Sequence, residues 1–399
     1  MKPDARLILL AQALRAFLYG FGSVLLGVSL ARSGLSATMV GVIFAALLAG
    51  AALMSAAVGW WGDRLGRRPS YAWLFVLMGA AGAVFGLSDS PALLLLAALA
   101  GTVSTDVVES GPFTSIELAM IPNATETPAE RNRLLGIYNA VATIAGSVGA
   151  LAAGGPELLR RVLPGLPPDQ RWFLLYPVIA VGGVIVATRL SPAVELGALR
   201  PKMTGPPLGP SRPLVLRLAG LFALDSFAGG FVVQSYLAYW FAGRYHASPS
   251  LLGLVFFAVG LLQSLSFLAA VRLAERIGLL RTMVFTHLPS NLLLAAVPLM
   301  PTMGSAIAAL LARFALSQMD VPARQAYLVA LVEPEERTAA TGFTNTARNA
   351  VRPIAPAIAG AVFGGLTAGP FIVAGALKSL YDLTLYAVFK KVPLREEQG

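Results

Sequence analysis

Ionisable side chains stand inside stretches of this sequence that are otherwise apolar. Asp106, Glu109 and Glu117 fall in one such stretch, Asp320 and Arg324 in a second, Arg348 and Arg352 in a third, and Arg15 and Asp225 in two more. At 100° per residue a continuous helix nearly eclipses positions 106 and 117 and sets 109 about 60° away, so the three acids would share one broad face. Like charges in a low dielectric cannot all ionise cheaply. Asp106 or Glu109 is therefore a candidate proton carrier, with Asp320 as a third coupling candidate; the alternative is permanent neutralisation by arginines of other helices. Arg348 and Arg352 share a face and have no acid on their own stretch at such spacing, so they must look to the acids near 106–117 or to a ligand. Guanidinium forks suit bidentate capture of a carboxylate or phosphate, which points to a small organic anion.

Weaker candidates accompany these. Arg324 follows Asp320 by four residues, close enough for a self-contained pair, and Arg15 and Asp225 lie at similar depth, where they could pair with each other across a cavity. Tyr19 and Gln234, with Tyr236, Tyr239 and Trp240, could line an amphipathic pocket, although aromatic residues also mark a membrane interface. Lys378 and Asp382, four apart, read as a structural ion pair. Met283 and His287 have metal-ligand spacing, but the chain has only two histidines and no carboxylate accompanies this one. No metal site is expected, nor any cofactor or enzyme chemistry: there is no cysteine nucleophile, and "GRRPS" lacks the ending of a phosphate loop.

The elements that must position these groups follow from composition. Of 399 residues 56% are hydrophobic and 13% charged, against roughly 25% charged in soluble domains. Apolar runs of the ~20 residues that cross a bilayer occur at approximately 6–32, 36–58, 70–88, 91–118, 134–155, 171–189, 214–241, 250–271, 282–300, 303–331, 339–364 and 368–389. This predicts an all-α membrane protein of twelve transmembrane helices, with the first run a retained span rather than a signal peptide. The net charge of +10 is a matter of topology. About nineteen of the thirty Lys and Arg lie in the termini and the even-numbered connections and about five in the odd-numbered ones, which puts both termini in the cytoplasm and turns the basicity toward lipid headgroups rather than nucleic acid.

The polar, Pro- and Gly-rich segment 190–213 has six runs on either side and reads as a linker between residues 1–189 and 214–399. The halves echo each other. "ERNRLLGIYNAVATIAGSVGALAAG" (130–154) aligns without gaps on "ERTAATGFTNTARNAVRPIAPAIAG" (336–360), "DRLG" (63–66) matches "ERIG" (275–278), and Gly20-Phe21 matches Gly230-Phe231. A six-span internal repeat is the footprint of a transporter whose site lies between pseudo-symmetric bundles.

Between the second and third runs lies a charged knot, "GWWGDRLGRRPS" (59–70). Its Gly59, Gly62, Asp63, Arg64, Gly66, Arg67 and Arg68 meet the loop signature of the major facilitator superfamily, of the drug/proton-antiporter-like kind found in bacterial members, with Trp61 replacing the usual aliphatic residue. The chain resembles that family over its whole length. The resemblance implies two pseudo-symmetric six-helix bundles, a cavity lined mainly by the first, fourth, seventh and tenth spans, and a cytoplasmic gate built from this loop and its echo at Glu275 and Arg276. Asp63 would engage the turn near Thr338 to Thr341; the bland alternative is a loop that merely anchors topology. Two family features are missing: an arginine on the fourth span, which here bears acids, and the exporters' proline on the fifth, where Ala150 stands.

The expectation is thus a secondary active transporter, monomeric, in the cell inner or plasma membrane, its partners a small-molecule substrate, protons and the lipid bilayer. Proton-coupled export of an anionic or amphipathic solute leads. Proton- or sodium-coupled uptake of an organic anion is the alternative, and a non-transporting receptor or sensor on the same scaffold is the reading from another class.

Overall fold

The computed structural model describes residues 2–106, 111–195, 208–333, 336–364 and 366–392, and all regular secondary structure among them is helical. The chain forms two compact units, Met1–Arg200 with Val233–Gly260, and Pro201–Val232 with Leu261–Gly399. The first contains α1 (Pro3–Arg32), α2 (Ala37–Leu65), α3 (Arg67–Leu87), α4 (Pro91–Leu99), α5 (Pro112–Met120), α6 (Pro128–Ala152), α7 (Gly155–Val162) and α8 (Leu175–Arg189). The seventh expected span begins as α9 (Arg212–Gly230) in the second unit and, after a break at 231–233, ends as α10 (Gln234–Tyr245) in the first. After α11 (Pro249–Ile277), the second unit is completed by α12 (Leu279–Ala296), α13 (Met303–Ser317), α14 (Asp320–Leu331), α15 (Arg337–Val351), α16 (Ile354–Phe363) and α17 (Gly369–Phe389).

Among the described residues, ten stretches are long and apolar enough to cross a membrane as helices. The fourth and eleventh expected spans have helical counterparts in pieces, for local reasons. Between α4 and α5 the sequence offers Gly101 at φ +69° and then Thr102, Ser104 and Thr105, whose hydroxyls compete for backbone groups. Pro112 also disfavours a helical Gly111. Asp106 therefore stands in irregular chain while Glu117 sits on α5, and the eclipsed acidic face expected for a continuous helix does not exist. Between α15 and α16, Pro353 removes a backbone donor; Arg352 and Pro353 keep helical angles, so this break is a kink.

The sequence repeat has a backbone counterpart. Gly66 (φ +89°) separates α2 from α3 and Gly278 (φ +86°) separates α11 from α12. The carbonyl of each accepts from the fourth residue on, Ser70 and Thr282, at 3.1 Å in both cases. Only glycine adopts this left-handed region without strain.

In the first unit α1 is the central element, packed on α6, α8 and α10. Close approach requires missing side chains: a Cβ on Gly149 would strike the Phe17 carbonyl and one on Gly20 the Gly146 carbonyl. The second unit packs α12 on α17 and α9 on α15 and α17, over a core of Leu218, Phe222, Met283, Tyr327, Tyr381 and Phe389. Leu53, Trp60, Val178 and Leu292 are more than half exposed, as lipid-facing surface requires.

Candidate substrate and ion site

In the second unit, helices that sequence reading kept apart bring their charges to one carboxylate. Asp225 on α9 is 4% exposed and accepts from Lys378 of α17 at 2.5 Å and from Arg324 of α14 at 3.3 Å. Nη1 of Arg348, on α15, lies 3.6 Å from Asp225 Oδ2, and His287 Nε2, on α12, lies 3.9 Å from Oδ1. Arg324 also holds Asp320 at 3.2 Å. On its other side, His287 offers Nδ1 to Asp382 at 3.0 Å, and Asn291 donates to the same carboxylate at 2.8 Å.

The members are not equally satisfied. Lys378 and Arg324 hydrogen-bond to Asp225. The Arg348 side chain is 24% exposed, and its buried Nη1 has no hydrogen-bond partner among the described residues. A buried guanidinium nitrogen without an acceptor forfeits a charge-assisted hydrogen bond. Arg348 is thus the cation of the set that can take an anion with least rearrangement. Arg352, half-buried at the kink, makes contacts of its own.

The first unit has a second buried cluster. Glu117, fully buried, accepts from Arg15 of α1 at 2.8 Å, from Tyr71 of α3 at 2.6 Å and from Tyr138 of α6. Gln12 accepts from the same arginine, and Tyr19 and Phe113 lie 5.1 and 5.4 Å from the guanidinium carbon. Asp106 has a separate role. Its Oδ1 accepts from the backbone N–H of Gln234 at 2.9 Å, at the start of α10, where an anion is favoured by the helix dipole. The Gln234 side chain donates to Ser23 at 2.8 Å.

Several expectations are corrected by these contacts. Arg15 and Asp225 each have partners within their own unit and do not need each other. Glu117 lies in the core of its unit, away from Asp106. Arg324 is not confined to its pair with Asp320, and Arg348 finds an acid after all, on α9. Lys378 and Asp382 each have hydrogen-bond partners on other helices instead of forming a self-contained pair. His287, expected to stand without a carboxylate, faces two, Asp382 and Asp225. Glu109 lies outside the described residues.

The charged knot makes several contacts within its own unit. Arg67, 7% exposed, donates to Asp63 at 2.9 Å and to the carbonyls of Ala119 and Val194 at 2.8 and 3.2 Å. Glu195 accepts from the backbone N–H groups of Arg67 and Arg68 at 2.6 and 2.8 Å, capping α3. Arg64, Glu275 and Arg276 are exposed. An added Cβ meets nothing within 4 Å at Gly59 and only Val58 at Gly62, so of the three glycines only Gly66 is required by its backbone. The Thr338 side chain, at the turn expected to face Asp63, lies outside the described residues.

Sequence reading missed Tyr71, Tyr138, Asn291, and the roles of Lys378, His287 and Asp382. For the last three a signal existed: a lysine, a histidine and an aspartate at mid-span are each costly enough to demand a partner. For the tyrosines there was none.

The family model described as Major Facilitator Superfamily matches residues 8–224 and again 218–398. An uncharacterized membrane protein of Saccharomyces cerevisiae is 26% identical over 97% of this chain and 94% of its own length. Among solved structures, the nucleoside transporter NupG superposes with a TM-score of 0.75 at 14% identity, covering 97% of this chain and 99% of its own. The inward-open xylose transporter XylE from E. coli gives 0.71 at 14% identity, covering 98% and 97%. These two likenesses concern the fold.

Proposed function

The chain belongs to the Major Facilitator Superfamily, and on that premise we propose that it is a secondary transporter that carries a small organic anion through the membrane by alternating access of its two six-helix halves, 1–189 and 214–399. The observation that carries this reading is the convergence of Lys378, Arg324 and Arg348 on the single carboxylate of Asp225, with Arg348 left short of an acceptor. A carboxylate or phosphate on Arg348 supplies what that guanidinium lacks, and Arg352, four residues on, extends the same positive face. Arg15 and Tyr19 are assigned to structure, because Arg15, although its Nε lacks a hydrogen-bond partner among the described residues, is 2% exposed and already paired with Glu117, which no solvent reaches. The protein works as a monomer in the cell membrane with both termini cytoplasmic, and the distribution of basic residues supports that orientation of the termini.

The loop motif favours export. A specific observation favours the other direction: the ion-paired set holds three acids, Asp225, Asp320 and Asp382, and three cations, Arg324, Arg348 and Lys378, so a bound anion unbalances it and calls for a co-bound cation. Uptake of the anion together with a proton follows from that balance, whereas export by exchange needs the two to compete.

The test is a thermal-shift screen of the purified protein with benzoate, lactate, succinate and glycerol phosphate against benzamide and glycerol as neutral counterparts, because a ligand of the folded state raises the apparent melting temperature. Anions alone should stabilise, and Arg348→Gln should remove the effect while leaving the unliganded melting temperature within a few degrees. Counterflow of the stabilising anion in proteoliposomes then separates a transporter from a sensor, which would bind but never exchange it. Stabilisation by the neutral compounds only would end the anion reading.

A further inference from the structure

Within the ion-paired set one imidazole stands between two carboxylates. His287 lies between Asp382, 3.0 Å from Nδ1, and Asp225, 3.9 Å from Nε2, and is 5% exposed. Everything facing it can be named. From α17 come Asp382, Lys378 and the Tyr381 ring, 6.1 Å centroid to centroid. From α9 comes Asp225, which carries Arg324 and Arg348 with it, and Arg324 in turn holds Asp320 on α14. On its own helix Asn291 stands one turn away, its side chain 3.3 Å from Nδ1. The helix α13 also packs on α12 and has one charged residue, Arg313, whose guanidinium lies against Phe314.

Building on the anion reading above, we infer that His287 is the proton site of this transporter and that proton and anion bind together, the proton replacing Arg348 at Asp225. When Arg348 turns to a ligand carboxylate, Asp225 loses its loosest cation, held at 3.6 Å without a hydrogen bond. The nearest group able to restore that charge is His287, whose Nε2 is 3.9 Å away and whose Nδ1 is already anchored on Asp382. Histidine is the side chain whose protonation changes in the physiological range. The balance closes: one monoanion enters, one proton is taken from solvent onto the imidazole, Arg348 changes partner, and the set keeps its net charge. Asp382 and Asn291 act as positioning residues that fix the ring. Reciprocity of linkage then makes anion affinity rise with proton availability.

The experiment is isothermal titration of the full-length protein in nanodiscs with benzoate as the monoanionic probe, run in two buffers of different ionisation enthalpy, which counts protons taken up per anion bound. About one proton per benzoate is expected, with benzoate affinity falling about tenfold per pH unit once the site has lost its proton. His287→Gln and His287→Asn should bring the count to zero and flatten the pH dependence while still binding benzoate. His246→Asn should leave the count at one: His246 is exposed and sits at φ 54°, a conformation asparagine tolerates. Should both His287 variants fail to fold, the wild-type count stands as the test, together with nuclear magnetic resonance of the one imidazole left in the His246→Asn protein, whose signal must move to the protonated form on adding benzoate at constant pH. Benzoate binding with no proton uptake, or with uptake unchanged in the His287 variants, overturns the inference and leaves the anion reading intact. Absence of binding by benzoate, lactate, succinate and glycerol phosphate at every pH overturns both.

Discussion

Replacing Glu117 by Gln exchanges one oxygen for an amide nitrogen in a site with no surface, and that makes its outcome calculable. The carboxylate receives three donors, from Arg15 at 2.8 Å, Tyr71 at 2.6 Å and Tyr138. A glutamine keeps one acceptor oxygen and turns the other toward them as an amide N–H₂. Turned toward Arg15, the amide sets donor against donor, and turned toward Tyr71 it forces that hydroxyl to accept instead; either way Arg15, 2% exposed, is left as a buried cation without a counter-ion. Breaking a buried pair from one side costs roughly 3–5 kcal/mol, whereas removing both partners is often close to neutral. The expected loss is therefore roughly 3–5 kcal/mol for Glu117→Gln. Arg15→Met combined with it should recover most of that loss, a coupling of about 2–3 kcal/mol between neighbours. Equilibrium unfolding in mixed detergent micelles, followed by tryptophan fluorescence, measures both. A Glu117→Gln protein within about 1 kcal/mol of the parent, or a double variant weaker than either single one, would refute the assignment of this cluster to structure.

Asp225→Asn should fail in the same way, because it leaves Lys378, Arg324 and Arg348 facing one another. Asp225→Asn with Lys378→Gln should restore folded yield in size-exclusion chromatography, but without anion binding. Gly149→Leu should prevent α1 and α6 from closing, since its Cβ alone would strike the Phe17 carbonyl, and should abolish folded yield where Gly59→Ala, in open space, has no effect. Glu336 supplies an acid-side prediction. The Ser211 hydroxyl first, and then the backbone N–H groups of Gly209 and Ser211, hold its carboxylate below the ordinary carboxylate range. Its contribution is complete above the unfolded value near pH 4.3 and is lost as pH falls through the lower folded value. The melting temperature of Glu336→Gln should accordingly be lower at pH 7 and converge on that of the wild type in acid. A constant difference at every pH would assign the effect to packing.

The bilayer crossings and the duplication were legible from residues alone, for a physical reason: a hydrocarbon layer filters composition at every position, and a left-handed turn at Gly66 and Gly278 admits little but glycine. Ion-pair partners were not. Spacing of four residues put Lys378 with Asp382 and Arg324 with Asp320, yet a buried charge chooses among all neighbours in three dimensions: Lys378 turned to Asp225 on another helix, and Arg324 kept Asp320 while taking Asp225 as well. The fourth span misled because a count of apolar residues is blind to "GTVSTD", where glycine and hydroxyls end a helix that hydropathy would continue. Glu130 and Glu336, aligned in the repeat, show the limit from the other side. Both cap the start of a chain segment, but Glu130 accepts from the backbone of Glu126, close by, and Glu336 from that of residues 209 and 211. Equivalent positions inherited the carboxylate, not its clients.

The break at 231–233 has a consequence for biosynthesis. Because the first unit takes in Val233–Gly260, it is incomplete when its first 200 residues have left the ribosome. The face of α1 at Gly27, which α10 later covers through Ser235 and Ala238, and the backbone oxygen of Thr105, which receives Ser235, wait without partners until the seventh and eighth helices emerge. At synthesis rates of about 5–20 residues per second that interval is roughly 3 to 12 s. A ribosome stalled near residue 200 would thus hold a membrane intermediate with an open seam on its first helix, the kind of surface that insertion chaperones screen.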